Sequence, residues 1–220
     1  MNTPRSVQGN LIRYGVYLVG YLLVIGAKAL VADTGKLQTW DLILFICLTL
    51  MTGLLYIYRF NREQRYFQRN FSLPLLGNMT VTSLMTIAIV CARLFISYLQ
   101  LNGKLGYYTF QSIYAKSEST PMFWFLIIAQ GVVIPVLQVF LAEGFFFNYL
   151  FRADDFLVAV MGLLCSGAVF TILNLQFNLN LIVVDFVLGL FLAWTYLYTQ
   201  SLSMTLYLAV LNGILLVMMM

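Results

Sequence analysis

Long apolar runs separated by short polar intervals dominate the chain. A helix that crosses a bilayer needs roughly 20 mostly apolar residues, and seven runs meet this requirement. The predicted spans are Leu11–Ala32, Trp40–Tyr58, Leu73–Leu101, Pro121–Phe151, Phe156–Asn174, Leu179–Tyr198 and Ser203–Met220. Apolar residues surround every face of these segments, as expected of helices that contact both lipid and other helices. The sequence therefore predicts an all-α, polytopic transmembrane helix bundle.

The sizeable polar interval LNGKLGYYTFQSIYAKSEST divides this bundle. It predicts three N-terminal transmembrane helices in 1–101, an extracytoplasmic loop at 102–120, and a core of four helices in 121–220. An additional membrane segment inside 102–120 would give eight spans and move the C-terminus to the other side.

The predicted orientation follows from Lys and Arg in the short loops, because these residues are enriched on the cytoplasmic side. One set of loops contains seven of them: Arg5, Arg13, Arg59, Arg62, Arg65, Arg69 and Arg152. The opposite set contains four: Lys28, Lys36, Lys104 and Lys116. The N-terminus is therefore predicted to be cytoplasmic. The stretch RFNREQRYFQRNF contributes most of this bias, either as an ordinary cytoplasmic loop or as a surface that attracts anionic lipid or an acidic partner.

Composition narrows the possible functions. The chain is 62% hydrophobic and 9% charged, whereas soluble domains have about 25% charged residues, so the bilayer itself is the first expected partner. Histidine is absent, which excludes a His general base and a His-ligated metal. Cys47, Cys91 and Cys165 are scattered in apolar runs and lack metal-binding spacing. We therefore expect no cofactor, no metal and no nucleic-acid partner.

A few polar residues inside the predicted spans are candidates for function, because a charge in the bilayer centre costs roughly 2.5–3.5 kcal/mol. The charged ones are Arg93, Glu143 and Asp185, and the notable neutral ones are Asn148, Asn174 and Asn212. Glu143 could serve as a base or could pair with a polar group on another helix and hold the bundle together. Arg93 and Asp185 lie at matching depths in their helices, which favours a structural pair between them.

The motifs of the second half, over about residues 121–216, resemble those of the CPBP family, the CAAX-prenyl-protease-like and bacteriocin-self-immunity (Abi) membrane proteins. Active members carry motifs that read EExxFR, FxxxH and HxxxN or HxxxD. Here AEGFFFNYLF corresponds to the first motif, with Glu143 and Phe147 retained but Gly144 and Asn148 at the second Glu and the Arg. FTILN corresponds to the second motif, with Phe170 retained and Asn174 at the His.

The third motif is altered most. In DFVLGLFLAWTYLYTQSLSMTLYLAVLNG, Ala209 lies at the histidine position and Gly213 at the Asn or Asp position. Asn212 corresponds to a common non-catalytic Asn. The resemblance implies a CAAX-protease-like fold, in which glutamate and histidines activate a water for peptide-bond cleavage. Ala209 can supply neither a base nor a hydrogen-bond donor, so we interpret the chain as a degenerate member.

Three functional hypotheses follow. The first is a catalytically inactive regulatory or immunity partner of another membrane or envelope protein, in a bacterial plasma membrane. The second is a membrane enzyme, such as an intramembrane glutamate-dependent endopeptidase, with a divergent site at Glu143, Asn148 and Asn174, to which Asn212 is added as a candidate. The third is a transporter or channel subunit, which receives little support because no inverted repeat is visible.

Overall fold

The architecture is known from a computed structural model, which describes residues 6–33, 37–63, 79–117, 119–150 and 156–220. Every regular element within these ranges is a helix, which confirms the predicted all-α class. In chain order, the helices are α1 (Val7–Asp33), α2 (Thr39–Arg62), α3 (Met79–Leu101), α4 (Thr109–Ser117), α5 (Thr120–Leu150), α6 (Phe156–Leu173), α7 (Leu179–Thr199) and α8 (Leu202–Met218).

Six of these helices, α1, α2, α3, α5, α6 and α7, are long and apolar enough to cross a membrane. They correspond to the first six predicted spans. The seventh predicted span is α8, an apolar helix of 17 residues. At 1.5 Å per residue it is about 25 Å long, which lies at the short end of what a membrane span requires.

The predicted loop 102–120 contains the short helix α4. Its nine residues extend about 14 Å, too short to cross a bilayer. Gly103 at the end of α3 has a φ of +66°, a left-handed conformation that suits glycine at a helix end. The interval is therefore a turn followed by a short helix, and its place relative to the membrane stays a prediction.

Helix α5 lies at the centre of the bundle and contains two wide turns. Residues Ile127–Val133 and Phe140–Phe145 are π-helical, with Pro135 near the start of the α-helical turn between them. A π turn shifts the register of the backbone hydrogen bonds, which exposes carbonyl groups to other partners. The Tyr14 hydroxyl donates to the carbonyl of Leu141 (3.3 Å), and the Ser166 hydroxyl donates to that of Ala142 (2.8 Å).

Glycines allow close approach at two helix crossings. A Cβ on Gly189 of α7 would lie 3.1 Å from the carbonyl oxygen of Gly167 on α6. A Cβ on Gly213 of α8 would lie 2.6 Å from the carbonyl oxygen of Gly131, in the first wide turn of α5. Small residues bring helix backbones together in membranes in this way.

Many of the Lys and Arg residues on which the predicted orientation depends lie outside the residues that the structure describes. Arg5, Lys36, Arg65, Arg69 and Arg152 lie outside the described residues, and so does the side chain of Lys116. The orientation of the chain in the membrane therefore stays a prediction.

Candidate functional site

A small polar cavity lies where α3, α5, α6, α7 and α8 meet. Its lining combines charged and amide side chains with residues at the second and third motif positions: Arg93, Tyr108, Gln130, Pro135, Gln138, Phe170, Asn174, Gln176, Asp185, Ala209, Asn212, Gly213 and Leu216. Its volume is about 20 Å³, which is room for roughly one or two water molecules.

The two charges of the cavity are held by neutral neighbours. The Nε of Arg93 on α3 donates to Oδ1 of Asn212 on α8 at 2.5 Å. The Tyr108 hydroxyl donates to Oδ1 of Asp185 on α7 at 2.9 Å. Burial raises the pKa of Tyr108, so this hydroxyl keeps its proton and remains a donor. Arg93 and Asp185, which the sequence predicts as a structural pair, form no direct ion pair with each other. They belong to one polar cluster, in which Tyr108 lies next to both groups.

The amide of Gln138 connects α5 to the second motif position. Its Nε2 donates to Oδ1 of Asn174 at 2.7 Å and to the Tyr21 hydroxyl at 3.0 Å. Tyr21 in turn donates to the carbonyl of Leu173, at the last turn of α6. Asn174 also interacts with Asp185. Asn174, at the histidine position of the second motif, is therefore held by hydrogen bonds to Gln138 and Asp185.

Arg93 and Asp185 each retain an unused atom at the cavity. Both residues are almost fully buried, with 3% and 2% of their surface exposed. Among the residues that the structure describes, neither Nη1 of Arg93 nor Oδ2 of Asp185 has a hydrogen-bond partner. A buried polar atom without a hydrogen-bond partner is costly, so the hydrogen bonds of this polar cluster satisfy its two charged groups only in part.

Glu143 lies apart from this cavity. It is in the second wide turn of α5 and is fully buried, and neither of its carboxylate oxygens has a hydrogen-bond partner in the described part of the chain. Gln138, which does line the cavity, precedes it by five residues, or roughly 7 Å along a helix axis. Asn174 therefore lines the cavity, whereas Glu143 does not.

Aromatic rings fill the region around this wide turn. Phe145 is fully buried, and its ring centroid is 4.5 Å from that of Tyr17 and 5.4 Å from that of Tyr56. Asn148 is also buried and lies outside the cavity lining. Aromatic packing of this kind gives the second wide turn of α5 a largely apolar environment.

The structure thus divides the four candidate site residues into two groups. Asn174 and Asn212 line the cavity, whereas Glu143 and Asn148 do not. Sequence reasoning missed Tyr108, Gln130 and Gln138 as members of the cavity. Gln130 and Gln138 could have been identified from the sequence, because two glutamines in a mostly apolar helix are disfavoured in lipid unless their amides are compensated.

Within the ranges that the structure describes, no group of three or more His, Cys, Asp or Glu side chains could hold a metal ion. The polar chemistry of the cavity therefore comes from a guanidinium, a carboxylate, a phenol and amides. Such a set can bind and orient a polar group through hydrogen bonds.

Fold and site together define an integral membrane helix bundle with a buried polar cavity, which the second half of the chain lines together with Arg93 and Tyr108. Residues 120–215 match the family model described as Type II CAAX prenyl endopeptidase Rce1-like. The second half of the chain, from α5 into α8, is therefore a CAAX-protease-like domain, as its motifs predict. No curated protein and no solved structure matches the chain.

Proposed function

We propose that the protein is a catalytically inactive CAAX-protease-like membrane protein, which acts as a regulatory or immunity partner of another membrane or envelope protein. The observation that carries this proposal is the packing at Gly213. This residue occupies the position at which active relatives are expected to have a polar Asn or Asp, and a side chain does not fit there. A Cβ would lie 2.6 Å from the carbonyl oxygen of Gly131 and 2.7 Å from Cγ of Pro135.

The chemistry of the other motif positions supports the same proposal. Ala209 and Asn174 stand where active relatives are expected to have histidines, and both line the cavity. The amide of Asn174 accepts from Gln138 and cannot act as a base at neutral pH. Residues of a catalytic set act as a unit, so the loss of several removes nearly all of its rate advantage.

The location of Glu143 counts against the alternative, an endopeptidase or related membrane enzyme centred on this residue. A general base must come within hydrogen-bond reach of the proton that it abstracts, directly or through one water. Glu143 has no exposed surface and does not line the cavity. Hydrolysis at Glu143 would require the packing around the second wide turn of α5 to open.

The setting that we propose is the plasma membrane of a bacterium, with a cytoplasmic N-terminus. The six long apolar helices support a multi-pass arrangement. The orientation rests on the distribution of Lys and Arg in the loops. A partner in the same membrane would reach the protein through lipid-facing helix surfaces or through the residue 102–120 interval.

A cleavage assay tests the proposal first. The purified chain in liposomes is incubated with a diverse library of farnesylated and unmodified peptides, and products are counted by mass spectrometry. We expect no products above those of empty liposomes. Cleavage that the Glu143→Gln variant abolishes would overturn the proposal and support the enzyme, whereas cleavage that this variant retains would indicate a contaminating protease.

In-cell crosslinking tests the partner directly. A photo-reactive amino acid is placed at exposed positions on three different helices: Leu54 on α2, Phe95 on α3 and Val183 on α7. We expect an adduct of one defined mass from at least one position and the same protein identified in each repeat. The absence of a defined adduct from every position, including positions added in 102–108, would count against a stable partner.

A further inference from the structure

The connection between α6 and α7 alternates polar and apolar residues, and its sequence over residues 174–180 is NLQFNLN. The apolar side chains are the exposed ones, with 45% of Leu175, 94% of Phe177 and 77% of Leu179 exposed. We call these three residues the apolar tip. Asn174 and Gln176 are instead half-buried and line the polar cavity. A segment in water buries its apolar side chains and exposes its polar ones, so the pattern here is inverted.

The apolar tip belongs to a fixed turn. Leu175 has a φ of +50°, a left-handed conformation in which glycine or asparagine is usual at a helix end. The Asn178 side chain accepts from the backbone N–H of Asn180 at 3.0 Å and caps the start of α7. A Cβ on Gly106 would lie 2.5 Å from Nδ2 of Asn178, so the chain after α3 packs directly against this turn. The exposure of the tip is therefore built into the fold.

The length of α6 places its end within the bilayer. Its 18 residues extend about 27 Å, whereas the hydrocarbon core is about 30 Å thick. A helix of this length that begins at one edge of the core ends before the opposite edge, and any tilt shortens its reach further. The connection that follows α6 therefore begins at the depth of the acyl chains.

Exposed aromatic side chains with a polar atom lie at the same end of the bundle. Tyr107 is exposed and directly follows Gly106, which packs against the turn. Trp124, near the start of α5, is exposed as well, and Gln130, six residues further along, lines the same cavity as Gln176. Trp and Tyr are enriched where a membrane meets water. These two side chains therefore mark an interface close to the apolar tip.

From this arrangement we propose that the apolar tip lies in lipid, against the acyl chains just below the headgroups, and anchors the α6–α7 connection there. Removal of its three apolar side chains from water is favourable. The neighbouring amides stay within the bundle, where Asn174 accepts from Gln138 at 2.7 Å, so the turn brings few unsatisfied polar groups into the lipid. This contact is independent of the proposed partner function.

Spin-label accessibility tests the environment of the tip. A nitroxide amino acid is incorporated at Phe177, at Leu179 and, as a control, at the exposed Lys104 of the full chain in liposomes. Power saturation measures collisions with oxygen, which concentrates in lipid, and with a nickel chelate, which stays in water. We expect a several-fold higher ratio of oxygen to nickel collisions at the two tip positions than at Lys104.

Two other results would overturn the proposal. Nickel collisions at Phe177 as frequent as at Lys104 would place the tip in water. Few collisions with either reagent would show that another protein or a second copy covers it. Size exclusion and thermal melting check that each labelled protein is folded.

A charged substitution provides a second readout. Phe177→Asp places a carboxylate among acyl chains, where a charge is costly, so we expect its melting temperature in lipid nanodiscs to fall by several degrees. Lys104→Asp introduces the same side chain at an exposed position outside the tip and should melt as the native chain does. If Phe177→Asp does not fold, Phe177→Ser replaces it, with a smaller fall expected. Melting of the Phe177 variant equal to that of Lys104→Asp would overturn the lipid contact.

Discussion

The Ser166 hydroxyl on α6 donates a 2.8 Å hydrogen bond to the carbonyl of Ala142, inside the second wide turn of α5. Ser166 is fully buried. The contact satisfies a carbonyl in a segment where the ordinary helical register is interrupted, so it supports the wide turn that contains Glu143.

Removal of this hydroxyl should destabilise the bundle. We expect Ser166→Ala to lower the free energy of unfolding by about 0.5–1.5 kcal/mol, because the Ala142 carbonyl loses its side-chain partner in a buried site. Thermal melting in a fixed detergent measures the effect. Ser97→Ala is the matched control, since its hydroxyl contacts only the weakly accepting sulfur of Met219 among the described residues. Equal melting temperatures of the Ser166→Ala and Ser97→Ala proteins would contradict the prediction.

The crossing of α5 and α8 should not tolerate a methyl group at Gly213. We expect Gly213→Ala to cost about 1–3 kcal/mol or to prevent folding, because the new Cβ would overlap the Gly131 carbonyl. Gly53→Ala on α2 is the control, as nothing lies within 4 Å of its added Cβ. There alanine should be neutral or stabilising by roughly 0.5–1 kcal/mol. Fluorescence-detected size exclusion and thermal melting compare the two, and a Gly213→Ala protein as stable as Gly53→Ala would refute the close approach.

Glu143 should be dispensable for stability. Its carboxylate oxygens have no hydrogen-bond partner within the described ranges, so an apolar side chain of similar shape should be favoured. We expect Glu143→Met to unfold at the same or a higher temperature than the native chain, with a gain of up to about 3 kcal/mol. Glu143→Gln keeps a buried polar group and should be less stable than Glu143→Met. A clear loss of stability in Glu143→Met would mean that the carboxyl group makes a contact that this packing does not contain.

Glu63, directly after α2, accepts hydrogen bonds from Tyr17 (3.2 Å) and Tyr149 and forms an ion pair with Arg13 (3.4 Å). These contacts join the N-terminal half of α1 to the C-terminal ends of α2 and α5. We expect Tyr149→Phe to lower the free energy of unfolding by about 0.5–1.5 kcal/mol, since it removes one donor to the carboxylate.

A double-mutant cycle of Tyr149→Phe with Glu63→Gln checks that the loss comes from this contact. The two changes should be non-additive by about 0.5 kcal/mol or more, because they remove the same interaction. Tyr98→Phe, at an exposed hydroxyl, is the control and should combine additively with Glu63→Gln. Additive losses in both cycles would show that Tyr149 acts through packing rather than through Glu63.

Hydrophobic pattern alone predicted the helix positions closely. Leu179–Tyr198 is predicted and Leu179–Thr199 is observed, because a bilayer-length apolar run has few other ways to satisfy its backbone. The sequence did not predict the short helix α4, because its nine residues are both polar and apolar and form no apolar run of the length that identifies a span. The wide turns of α5 were also missed, since their stability depends on partners such as Tyr14 and Ser166, more than 20 residues away in the chain.

The sequence by itself determined that this is a membrane helix bundle, and its motifs determined which half is CAAX-protease-like. It also identified Arg93 and Asp185 as charges that need compensation. Only the tertiary structure decided that Asn174 and Asn212 share a cavity from which Glu143 is separated. The reason is physical: spacing along the chain fixes which face of one helix a residue occupies. The crossing of α5 and α8 at Gly131 and Gly213, and the register of the wide turns, decide which faces meet.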